Sequence, residues 1–139
     1  KFGTLTGSEA GLTNAVNNAL ADAGMTIDDI DAVFGFANGM KAVDDVEIKG
    51  LTAVFGDKLA EKPVVELKEV LGESRAAAAT TAAAHAALMF AGKIPSQEAY
   101  SIAADGSVSK TNVEASKLNN VLVAAYGAGG SYTAIVLSK

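Results

Sequence analysis

Three short glycine-marked segments hold most of the side chains with which this chain could do chemistry. The first is Gly35-Phe36-Ala37-Asn38-Gly39-Met40-Lys41, running into Asp44-Asp45-Val46-Glu47; the second is Leu67-Lys68-Glu69-Val70-Leu71-Gly72-Glu73; the third is Tyr126-Gly127-Ala128-Gly129-Gly130-Ser131. Lys68 has candidate carboxylate partners in Glu73, Glu66 and Glu47, and a lysine so placed is more often a structural ion-pair member than a catalytic amine. Asp44 and Glu47 fall at an expected helix start, where a carboxylate is favourable in any protein. The glycines at 127, 129 and 130 could suggest a phosphate loop, but they lie between two apolar runs, and no helix start follows to receive an anion. His85 is the only histidine; it is either a displaced base or, as is commoner on a helix, a packed residue with one satisfied nitrogen. Asp28, Asp29 and Asp31 lack the spacing of an EF-hand and read as a solvated loop. With no cysteine, the chain has no thiol nucleophile, disulfide or thiolate metal site. No metal and no cofactor are expected.

The elements that must position these segments alternate along the chain. Thr6-Gly7-Ser8-Glu9 fits a capping box, after which Leu12, Ala15, Val16, Ala19 and Leu20 recur at helical spacing until Gly24 offers a left-handed stop. Ala32-Val33-Phe34 predicts a strand ending at the first segment. A second helix is expected from about Val43 to Phe55, closed by Gly56, and Pro63 opens a strand Val64-Val65-Glu66-Leu67. The alanine-rich stretch from about Ser74 to Phe90 predicts a third helix, ended by Gly92 and Pro95; its small side chains allow close approach to neighbouring backbone. Residues 96–119 are polar and weakly patterned, and are expected to be surface connection with a turn at Asp105-Gly106-Ser107. The apolar runs Val121–Ala125 and Tyr132–Leu137 predict a hairpin, and their lack of alternation predicts burial on both faces.

Composition narrows the function classes. The chain has 139 residues, 50% hydrophobic and 19% charged, with mean hydropathy +0.26. That suits one packed domain, residues 1–139, and excludes disorder. No uninterrupted apolar run approaches the roughly eighteen residues of a membrane span, and no segment has the form of an export signal. The absence of cysteine fits a reducing, cytoplasmic setting. A net charge of -5, a pI near 4.8, a single arginine at position 75 and dispersed lysines argue against nucleic acid, whose phosphates need clustered positive charge.

In order and spacing, the three segments resemble the C-terminal part of a β-ketoacyl synthase, a condensing enzyme of the thiolase superfamily. The resemblance runs from the helix after Ser8 to Leu137. It implies an α/β fold, the C-terminal half of a thiolase-like layered αβαβα architecture, incomplete without a complementary chain. Periodicity alone supports only an α/β domain. The resemblance covers about the last third of such an enzyme, without the half that carries the nucleophilic cysteine. The expectation is therefore a split or cleaved piece folded against a complementary N-terminal fragment, since buried-type strands without neighbours would expose sheet edges and apolar faces. A first residue of Lys1 rather than methionine is compatible with cleavage.

In active members of the family, the positions of Phe36 and Glu73 are both histidine, and the two neutral imidazoles donate hydrogen bonds to the malonyl thioester oxygen as decarboxylation forms an enolate. Phe36 has no donor. Ionised Glu73 only accepts and brings the wrong charge; protonated, it could donate one bond but not replace two imidazoles. Lys68 matches the lysine of the family's Lys-xxx-Gly-His motif, Asp44 and Glu47 match its Asp-x-x-Glu, and Tyr126 keeps its aromatic position. Ala128 replaces the phenylalanine that acts as a gate over the cysteine. The expected catalytic set is therefore empty, with Phe36, Lys68, Glu73, Tyr126 and Ala128 as pocket-lining or structural candidates.

Within the superfamily the pattern resembles the chain-length factor, or β-subunit, of type II polyketide and aryl polyene synthases. The resemblance implies a non-catalytic subunit that pairs with an active ketosynthase, shapes the chain tunnel and meets acyl carrier protein through the complex. An acidic chain is a poor main docking face for an acidic carrier protein. Two other readings stay open: an unusual synthase or decarboxylase using Glu73, and a thiolase-like acyl-binding module.

Overall fold

The computed structural model describes residues 7–73 and 78–139. Helix α1 (Glu9–Ala23) is followed by strand β1 (Ala32–Phe34), helix α2 (Lys41–Phe55), strand β2 (Val64–Val65), the short helix α3 (Lys68–Leu71) and helix α4 (Ala78–Phe90). Four strands complete the chain: β3 (Ser96–Ile102), β4 (Val108–Glu114), β5 (Asn120–Gly127) and β6 (Ser131–Ser138). With β1 and β2 they form one six-stranded sheet in the order β4-β3-β2-β1-β5-β6. Its centre is parallel: Val33 of β1 pairs with Val64 of β2 on one side and Leu122 of β5 on the other. The flanking pairs β2–β3, β3–β4 and β5–β6 are antiparallel.

The period-two rule explains how three residues of β1 serve two cores. Val33 joins Val64, Leu122 and Ala124 beneath α1 and α2, whose Leu12, Val16, Leu20, Leu51 and Phe55 fill that side. Ala32 and Phe34 point the other way, with Val65, Val121 and Val123, against Ala82, Ala86 and Met89 of α4. Central strands covered on both faces read as continuous apolar runs, which is why β1 and the start of β5 show no alternation. Gly50 lets α1 and α2 approach closely, since a Cβ there would stand 2.6 Å from Leu12 Cδ2.

Most expected boundaries hold. The Ser8 side chain caps α1 by accepting from Gly11 N, and Gly24 ends the helix at φ 65°; Thr6 of the expected capping box lies outside the described residues. Helix α2 begins two residues before the expected Val43 and ends at Phe55. The expected start of the alanine-rich helix at Ser74 also lies outside the described residues, and the helix runs from Ala78 to Phe90. The strand after Pro63 is shorter than expected, stopping at Val65.

Two expectations are corrected. Residues 96–119 are not simple connection: β3 and β4 form a hairpin over Asp105-Gly106-Ser107, paired from Ser96↔Glu114 to Ile102↔Val108. The hairpin extends the sheet through Val64↔Tyr100. Its outer face is wet and its apolar content small, with Ala99, Ile102 and Val113 as the buried residues; main-chain pairing is indifferent to side-chain polarity, so the pattern is weak. Strand β6 is not buried on both faces. It ends the sheet, and Ser131, Thr133 and Ile135 face outward while Tyr132, Ala134 and Val136 pack inward. Large apolar side chains stand exposed at Met40, Val70, Leu71 and Leu88. Among the described residues no helix is long and apolar enough to cross a membrane.

Candidate functional site

Strand β1 delivers the first segment to the end of the sheet, and α2 holds it there. Glu47 Oε1 accepts from Phe36 N at 2.5 Å and its Oε2 from Ala37 N at 3.1 Å, while Asp44 Oδ1 accepts from Asn38 N at 3.0 Å. Three residues of loop thus take their shape from two carboxylates one helical turn apart. Only Asp44 occupies the first turn of α2. Glu47, read from the sequence as a second helix-start carboxylate, is instead buried at 2% exposure.

The second segment enters from the neighbouring strand. Glu73 Oε2 accepts from Lys68 Nζ at 3.1 Å and from Asn38 Nδ2 at 2.9 Å, so one oxygen joins the first two segments. Of the three partners considered for Lys68, Glu73 is the one in contact. The lysine side chain is 10% exposed and that of Glu73 46%, so the pair sits at a rim rather than in a dry interior.

Aromatic packing brings in the third segment. Phe36, 1% exposed, lies 5.9 Å from the Tyr126 ring and 6.1 Å from the Tyr132 ring, and the two tyrosines are 5.4 Å apart. Tilted rings at such separations attract through their quadrupoles as well as by burial. The Tyr132 hydroxyl accepts from Ser8 N at 2.5 Å, tying this cluster to the start of α1. The glycine-rich turn joins β5 to β6, with Gly129 and Gly130 at φ 107° and 89°. Strands flank it on both sides.

A cleft of about 650 Å³ opens where the segments meet, lined by Asn38, Met40, Val43, Lys68, Glu73, Tyr126, Gly127 and Ala128. Lys68, Glu73, Tyr126 and Ala128 therefore share one cavity. Phe36 does not line it: its ring lies beneath, against Tyr126. Sequence reasoning also missed a contact under the loop, where Glu47 and Glu66 come together. Burial raises the Glu47 carboxyl above its ordinary value, against the pull of Glu66 and its two backbone donors. Burial, followed by the charge of Glu47, holds Glu66 well above the ordinary range. The available signal was an acid inside the apolar stretch Val64-Val65-Glu66-Leu67.

The remaining sequence candidates lie elsewhere. His85 is on α4, 6.0 Å from Phe34, in the layer across the sheet from the Phe36 cluster. Burial lowers its pKa, with the Gln97 side chain opposing, and its Nε2 has no hydrogen-bond partner. The acidic loop is more structural than a solvated loop. Thr26 and Asp29 cap a short turn at Ile27–Asp29, and Asp31 Oδ2 accepts from Asn119 N and Asn120 N at 2.7 and 2.9 Å. Among the described residues no cluster of acidic or histidine side chains could hold a metal ion.

Residues 2–101 match the family described as Beta-ketoacyl synthase, C-terminal domain. Among curated proteins, a polyketide beta-ketoacyl synthase 2 of Streptomyces coelicolor is 31% identical over 134 residues, and its namesake in Streptomyces halstedii 29%. Each alignment covers 95% of this chain and 32% of the relative, so the chain spans about a third of their length. Among solved structures, the ishigamide ketosynthase/chain length factor superposes with TM-score 0.79 at 24% identity, covering 96% of this chain and 34% of that one. At that identity the likeness is one of fold.

Proposed function

Because the chain belongs to the β-ketoacyl synthase C-terminal domain family and has a thiolase-like fold, we propose that it serves as a chain-length-factor-type subunit. In this reading it is a non-catalytic partner of an active ketosynthase and forms part of the tunnel that holds a growing polyketide or polyene chain. One observation carries the proposal. Where active relatives place two imidazole donors, this chain has a buried hydrocarbon ring and a carboxylate already accepting from Lys68 and Asn38. Neither can donate to an enolate oxygen, so the main source of transition-state stabilisation is missing. The exposed Met40 at the cleft and the exposed Val70 and Leu71 of α3 support a complementary N-terminal portion and a ketosynthase as partners, because apolar side chains of that size are ordinarily covered. Acyl carrier protein would reach the complex through the ketosynthase.

The test is reconstitution with a ketosynthase that carries cysteine and both histidines, followed by malonyl decarboxylation and product length. Glu73→Ala should leave decarboxylation unchanged within about twofold, because removing a rim ion pair alters little. If Glu73→Ala abolishes decarboxylation while the complex still assembles, the acid performs chemistry and the enzyme reading replaces this one.

A further inference from the structure

The contact between Glu47 and Glu66 has no part in the reading above and does not depend on it. The two acids arrive from different elements, Glu47 from α2 and Glu66 from the residue after β2. Both press on Gly35: a Cβ there would collide with Glu66 Oε1 and stand 2.6 Å from Glu47 Oε1. Glu47 uses each of its oxygens to accept from the loop backbone. Glu66 Oε2 is buried without a hydrogen-bond partner.

Among the described residues, the groups around the pair supply no counter-charge. Asp44 faces it from α2, Glu69 from α3 and Tyr100 from β3, all lining the same small cavity of about 160 Å³. The Tyr100 hydroxyl donates to Glu69 rather than to the pair, and Lys68 of α3 sends its amine to Glu73. Among the described residues, none of the titratable groups facing the pair is a cation, and two ionised carboxylates so enclosed would repel at low effective dielectric.

We propose that Glu47 and Glu66 form a proton-binding site, in which one proton held between the two carboxyl groups at neutral pH fastens the loop that carries Phe36. The geometry assigns the partners. Two backbone donors favour the ionised form of Glu47, whereas Glu66 has none and takes the proton, becoming a neutral acid that donates to Glu47. Carboxyls this close titrate as a pair, with apparent values pushed apart. The pKa of Glu66 is raised in the fold, so its contribution to stability is complete below the ordinary glutamate value and disappears as pH rises through the folded value. Loss of the proton would set Glu66 against Glu47, the side chain that grips Phe36 and Ala37.

Infrared spectroscopy of the protein carrying ¹³C-labelled glutamate, with Glu66→Gln as the variant, tests this directly. The amide keeps the size and a donor without a titratable proton. The expected result is a protonated-carboxyl band in the wild type near neutral pH that is missing from Glu66→Gln. The thermal midpoint of the wild type should fall by at least about 3 °C between about pH 6 and about pH 9, while that of the variant falls less. A wild type with no such band overturns the proposal, even if the variant fails to fold. So does a folded variant that keeps the wild-type band or its full pH slope.

Discussion

Replacing Phe36 with alanine removes a ring that is 1% exposed and touches two others, Tyr126 at 5.9 Å and Tyr132 at 6.1 Å. Burial of a phenylalanine side chain contributes about 1.5–3 kcal/mol, and each tilted ring pair adds about 0.5–1.5 kcal/mol. Together, burial and two ring pairs give about 2.5–6 kcal/mol, which brackets the roughly 3–5 kcal/mol measured for Phe→Ala in packed cores. A domain stable by about 5–15 kcal/mol would lose a large part of its margin. Phe36→Leu keeps most of the volume and should cost about 1–2 kcal/mol. The chain has no tryptophan and three tyrosines, two of them in this cluster, so tyrosine fluorescence during urea unfolding reports on the site itself. A Phe36→Ala/Tyr126→Leu double-mutant cycle should return a coupling of about 0.5–1.5 kcal/mol. Refutation would come from a Phe36→Ala cost below about 1 kcal/mol: the ring would then face the cleft and be free to act as a tunnel wall, instead of bracing the loop from below.

Gly35→Ala should destabilise the protein by about 1–3 kcal/mol, because its Cβ would meet Glu66 Oε1 and Glu47 Oε1; equal urea midpoints for the two proteins would show that the carboxyl pair does not press on this backbone. Spectrophotometric titration should find one tyrosine pushed up to about 12, assigned to Tyr100, whose hydroxyl donates to Glu69. A raised value favours the neutral phenol, so whatever this contact contributes is present below the ordinary tyrosine range and lost as pH passes through the folded value. Glu69→Gln should return that titration towards 10, and an unmoved curve would remove Glu69 as the cause.

Local rules made much of the fold legible. The helix over Leu12, Val16 and Leu20, its stop at Gly24, the strand Ala32–Phe34 and the final hairpin follow from side-chain period and glycine conformation within a few residues of each other. That the Phe36 ring offers no hydrogen-bond donor was legible too, because the absence of a chemical group is a property of the residue type. The hairpin of β3 and β4 was not legible in the same way, since polar residues on a wet outer face carry little pattern and the pairing that forms it runs through main-chain atoms. Sheet order then decided what no local window contains. Laying β2 beside β1 brought Glu66 against Glu47, and Lys68 and Asn38 on to one oxygen of Glu73. The same packing turned Phe36 under the cleft instead of into it. A carboxyl's proton affinity depends on which charges and donors surround it and on how much water is excluded, so chain identity names the acid and only the assembled structure determines its charge.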